Sequence, residues 1–130
     1  MANSAIRTLA KEHLSRRAKK GVKNRLRQCA TVTGDYRALP DYLIIGAQKG
    51  GTSSLFYYLQ QHPDVVLPLV IDKEIHYFDD CYRKGESWYR SHFPLQRAVA
   101  ARRRAGSPAL GGEATPEYLY HRLAPERAAN

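Results

Sequence analysis

Apolar residues recur three to five positions apart near the start of the chain, at Ile6, Leu9, Leu14, Ala18, Val22 and Leu26. That spacing predicts a weakly amphipathic helix with a basic face. The pattern changes at Tyr42-Leu43-Ile44-Ile45, a continuous apolar run that predicts a buried strand at 43–45. A glycine-rich turn follows, then a helix from 52 to about 61. His62-Pro63-Asp64 should stop that helix, because proline disfavours helical geometry in the residue before it. Residues 65–67 read as a second parallel strand, 95–104 as a helix, Gly106-Ser107-Pro108 as a turn and 109–113 as a third strand. Thr115-Pro116-Glu117 has the form of a helix start, with threonine as N-cap and proline at the first helical position. Strands alternating with helices predict an α/β fold, a parallel sheet with flanking helices and a ligand at the carboxyl ends of the strands. Glu113 would lie at such an end. Trp88, Tyr89 and Phe93 recur at helical spacing and read as core, the alternative being the wall of an acceptor cleft.

Charge divides this chain more sharply than hydropathy does. Residues 1–30 carry nine lysines and arginines against Glu12 alone, whereas the remaining hundred hold 12 basic and 11 acidic residues. Residues 1–39 are therefore read as a basic arm and 40–130 as one globular unit, which is as much as 130 residues accommodate. The arm suits contact with an anionic surface, or it is a solvated leader; nothing in it points to a specific nucleic acid. No window approaches a membrane span. Cys29 and Cys81 have no zinc-motif spacing and suggest no disulfide framework. The expectation is a cytoplasmic protein.

The most informative stretch is Gly46-Ala47-Gln48-Lys49-Gly50-Gly51-Thr52-Ser53-Ser54, between the first strand and its helix. Such a turn directs backbone N–H groups and a helix N-terminus at one spot, a ready site for phosphate or sulfate. It is P-loop-like without being a Walker A loop. That motif needs Gly, four residues, then Gly-Lys-Ser/Thr. Counting from Gly46, the second glycine is Gly51, but Thr52 follows where lysine is required. An ordinary ATPase or kinase-like protein is disfavoured. The plain alternative is a tight strand-to-helix turn with a solvated lysine.

Gln48-Lys49-Gly50-Gly51-Thr52-Ser53 after an apolar strand resembles the 5′-phosphosulfate loop of sulfotransferases that use PAPS (3′-phosphoadenosine 5′-phosphosulfate). Lys73-Glu74-Ile75-His76-Tyr77-Phe78-Asp79 and Gly112-Glu113-Ala114-Thr115-Pro116-Glu117-Tyr118 resemble the branch that contains the heparan sulfate sulfotransferases. The resemblance runs from about 41 to 127 in the right order. It implies PAPS as co-substrate, no metal and a hydroxyl or amine acceptor on a glycan or similar molecule. It places the catalytic glutamate on Glu74, the accompanying histidine on His76 and the closing acid on Asp79. Lys49 would neutralise charge at the 5′-phosphate and bridging oxygen, while Gly50 and Gly51 permit close backbone approach. Thr52, Ser53 and Ser54 would offer hydroxyls and N–H groups. The family's 3′-phosphate-reading arginine and serine have no counterpart before Asn130, so the chain is expected to be the N-terminal part of such a domain, cut after the first few βα units.

Two further expectations concern the 73–77 stretch. If it is extended, Glu74 and His76 share one face and Lys73, Ile75 and Tyr77 the other. Glu74 could equally be a surface carboxylate paired with a lysine, and His76 a structural histidine. A non-catalytic module that binds anions through the turn, or polyanions through the arm, is the alternative from another functional class.

Overall fold

The computed structural model describes residues 16–68 and 70–130. Within them the chain forms α1 (Arg16–Val32), β1 (Tyr42–Ile44), α2 (Thr52–Gln61), α3 (Glu86–Arg90), α4 (Gln96–Arg104), β2 (Gly112–Ala114) and α5 (Ala124–Ala129). Short 3₁₀ turns at Gly34–Tyr36, Tyr82–Lys84 and Pro116–Leu119 join them. The architecture is α/β: β1 and β2 pair in parallel, with Tyr42 opposite Gly112 and Ile44 opposite Ala114. Ile6, Leu9 and Leu14 of the expected basic helix lie outside the described residues. No helix among the described residues is long and apolar enough to cross a membrane.

The sheet departs from expectation in specific ways. The first strand begins and ends one residue earlier than 43–45. The third is shorter and later than 109–113, because Ala109 takes a left-handed φ of 49° that breaks the pleat. The second shrinks to a single parallel bridge between Val65 and Leu110, held by the Val66 N–H to Leu110 carbonyl bond of 2.8 Å. Leu110 thus faces the 65–66 segment while the Gly111 carbonyl accepts from Asp41 N–H at 2.6 Å, so the stretch leading into β2 lies between the other two. The expected helix at 115 is a single 3₁₀ turn, and the Thr115 side chain does not cap it.

Three clusters bury the apolar residues. Ile44 and Ala114 of the sheet pack with Phe56 of α2, while Val66, Val99 and Ala109 close the far end. The largest cluster joins Ile75, Tyr77, Phe78, Tyr89, Phe93 and Tyr118, with Trp88 packed against it. The aromatic residues of 88–93 are therefore core, as their spacing implied. Each fully buried side chain of this size contributes ~1.5–3 kcal/mol. The basic helix α1 is tied to this body by Lys23 and Arg27, both paired with Asp72.

Candidate functional site

The turn after β1 combines backbone that few residues adopt with a bare helix end. Lys49 sits at φ 59° and Gly51 at φ 89°, and the Gly50 N–H closes the turn on the Ala47 carbonyl at 3.0 Å. Gly51 is the N-cap of α2, and among the described residues no side chain caps the first turn. The first N–H groups of a helix have no intrahelical acceptor and carry the positive end of its dipole. This end is therefore open to an anion. Thr52 is buried at the base of the turn, with Ser53 exposed beside it.

The opposite wall comes from the 72–79 segment, which is not extended. Glu74 and His76 adopt left-handed φ values of 63° and 56°. Ile75 and Tyr77 are buried beneath them while Glu74 is exposed, so part of the expected alternation of faces survives by a different backbone route. Lys73 departs from it: rather than joining Ile75 and Tyr77, it lines the cleft and pairs with Glu74.

Together these walls enclose an open cleft of about 280 Å³ bordered by Lys49, Gly51, Thr52 and Ser53 on one side and Lys73 and Glu74 on the other. Gln48, Pro116 and Glu117 close its end, where the Gln48 side-chain amide donates to Glu117 Oε1 at 2.5 Å. The second oxygen, Oε2, is buried with no hydrogen-bond partner among the described residues. Gln48 and Glu117 lie within the Gln48–Ser53 and Gly112–Tyr118 motifs, but their sequence context alone assigns neither a role. Gly50 and Ser54 do not border the cleft, and neither do His76 and Asp79.

His76 and Asp79 instead form a pair next to it, Nδ1 to Oδ2 at 2.8 Å. Partial burial alone would lower the imidazole pKa, but the Asp79 hydrogen bond and the field of Asp79, Glu117 and Asp80 leave it raised. His76, Asp79 and Asp80 bring one ligand-type atom each within 4.8 Å of one another. This is a grouping the sequence did not reveal. Both Asp79 oxygens are already engaged, one by His76 and the other by the Asp80 N–H at 2.8 Å. Arg127 of α5 braces the same loop through the Phe78 and Asp79 carbonyls, at 2.7 and 2.8 Å.

Below the cleft, Glu113 is fully buried. Its carboxylate accepts from Tyr89 Oη at 2.6 Å, Thr115 Oγ1 at 2.7 Å and Tyr118 Oη at 3.1 Å, and the Ile75 N–H lies close enough to act on its pKa. Burial pushes its pKa up, and these four groups pull it back without cancelling the shift. The sequence placed Glu113 at a strand's carboxyl end but could not show this convergence, whose members come from three separate segments.

No family model matches the chain. It is 38% identical over 103 residues to the membrane-associated sulfotransferase kil1 of Dictyostelium discoideum, covering 79% of this chain and 20% of that protein. It is 40% identical over 91 residues to heparan sulfate glucosamine 3-O-sulfotransferase 6 of Homo sapiens, covering 70% and 23%. The same identity over 91 residues holds for heparan sulfate glucosamine 3-O-sulfotransferase 3B1 of Mus musculus, covering 70% and 20%. The chain spans about a fifth of the length of these relatives. By this similarity, the chain belongs to the sulfotransferase family.

Proposed function

We propose that this chain carries the donor-phosphosulfate and acid–base part of a sulfotransferase, moving a sulfuryl group from PAPS to a hydroxyl or amine of a glycan-like acceptor. The observation that carries it is the cleft. One lysine, an uncapped helix end and two hydroxyl residues face a glutamate across a space of about 280 Å³. The donor set fits a phosphosulfate group: directed N–H groups and one cation, on a P-loop-like turn. PAPS, when bound, supplies the activated sulfuryl group. Lys49 neutralises charge at the 5′-phosphate, and the first turn of α2 orients it. Glu74 accepts the acceptor proton, with Lys73 holding its carboxylate at the cleft edge. His76, paired with Asp79 beside the cleft, acts on the segment and its field rather than on the donor. Relatives named for heparan sulfate favour a glycan acceptor.

Calorimetric titration with PAP (the desulfated product), beside ATP and a Lys49→Ala control, tests this reading. Binding of PAP in preference to ATP, lost in the variant, is the expected result. A folded chain that binds neither nucleotide would refute it. ATP binding that requires magnesium would favour a kinase-like protein instead.

A further inference from the structure

The irregular segment under the cleft has its backbone N–H groups taken up one after another. Glu74 N–H donates to the Ala114 carbonyl at 2.8 Å and His76 N–H to Thr115 Oγ1 at 3.4 Å, while the Ile75 N–H between them lies near the Glu113 carboxylate. Tyr77 and Phe78 N–H both donate to Tyr118 Oη, at 2.8 and 3.4 Å. All the acceptors belong to one short stretch, 113–118.

A hydroxyl has one proton, so the direction of each bond matters. The Thr115 and Tyr118 hydroxyls give their protons to the two oxygens of Glu113, at 2.7 and 3.1 Å, which leaves their lone pairs for the N–H groups above. A carboxylate at the centre fixes both hydroxyls as acceptors; a group that donated there would turn their protons toward the very N–H groups they must receive. Left-handed backbone at Glu74 and His76 is strained for non-glycine residues and persists where surrounding contacts over-determine it. A fully buried carboxylate is costly as mere filler, since an apolar residue would pack there without desolvation.

We infer that Glu113, acting through Thr115 and Tyr118, is the positioning residue that holds Glu74 at the cleft. The inference rests on Glu74 as the proposed base. It assigns to the Gly112–Tyr118 motif a task distinct from touching donor or acceptor.

The test uses the whole chain with Thr115→Val, Thr115→Ser and Glu113→Gln, read by residue-resolved amide exchange and by sulfuryl-transfer kinetics. Thr115→Val should speed exchange at residues 75–78 by roughly tenfold or more while β1 and α4 keep wild-type rates. It should lower kcat by roughly 10–100-fold, leaving the KM for PAPS within about twofold, and Thr115→Ser should restore both. Glu113→Gln should act in the same way and more strongly. Should that variant not fold, the threonine pair still decides. Unchanged exchange at 75–78 in Thr115→Val, or an equal rise across the whole chain, would overturn the inference. So would Thr115→Ser behaving like the valine variant. If the wild-type chain neither binds PAP nor transfers sulfuryl groups, the functional reading fails, and amide exchange still judges the positioning.

Discussion

At the scale of single residues, the site depends on side chains carried by backbone that those residues do not favour. Lys49 at φ 59° is the clearest case, because a lysine there carries a left-handed penalty that glycine would escape. This separates its chemical value from its structural cost. Lys49→Ala and Lys49→Gly should both abolish PAP binding in calorimetry, yet Lys49→Gly should unfold at equal or higher denaturant, by up to ~1 kcal/mol. Loss of stability in the glycine variant would mean that the lysine braces the turn. Glu74→Gln keeps shape and removes the base. It should lower kcat by roughly 10²–10⁴-fold while PAP affinity stays within about threefold, and a matching loss of PAP affinity would reassign Glu74 to donor binding. Lys49 and Glu74, which border one cleft, could be singled out as candidates in the sequence because each stands in a short, chemically distinctive motif. Glu117 and Gln48 could not, since their hydrogen bond joins residues 69 positions apart.

At the scale of elements, α2 matched its sequence prediction and β1 missed by one residue, whereas the later strands departed further. A helix is specified by contacts within a few residues, by Gly51 before it and Pro63 after it. Strand ends depend on partners that local sequence does not encode, so β2 begins at Gly112 rather than at 109. Gly112 shows why. A Cβ there would lie 2.4 Å from the Tyr42 ring and 2.5 Å from the Tyr42 carbonyl, in the register of the β1–β2 pair. The ring could turn, but the carbonyl cannot yield without moving β1. Gly112→Ala should therefore destabilise the chain by ~2 kcal/mol or more in denaturant unfolding. At Gly21, within α1, an added Cβ would meet nothing within 4 Å among the described residues, so Gly21→Ala should stabilise by up to ~1 kcal/mol, with increased helical circular dichroism. If the two alanine variants behaved alike, the close approach at Gly112 would not govern the pairing.

At the scale of the whole molecule, acid and base act through two histidines of opposite sense. His76 has its pKa raised by Asp79 against the effect of partial burial, so any stability it contributes is present below its ordinary pKa and disappears as pH rises through the raised value. Its side chain is 31% exposed, and solvent screening keeps that contribution small. His92 works the other way. Burial first, then the charge of Arg27, depresses it to about 4 from an ordinary 6.5, against the bonds from its Nδ1–H to the Trp88 and Tyr89 carbonyls. The unfolded chain takes up this proton near pH 6.5, whereas the native chain resists it until about 4. The His92 contribution to stability must therefore fall as pH drops through that window, by ~3 kcal/mol in all and no faster than ~1.4 kcal/mol per pH unit. The sequence showed a histidine beside an aromatic run. It could not show that α3 and its following turn close over the ring, or that Arg27 of α1 reaches it with a positive charge. His92→Asn retains an amide donor for the two carbonyls and removes the titration. Urea unfolding from pH 7 to 4 should give a steeper loss for the wild type than for His92→Asn, whatever stability the variant starts from. Parallel curves would show that carboxylates alone set the acid sensitivity, and that His92 is protonated in the folded chain.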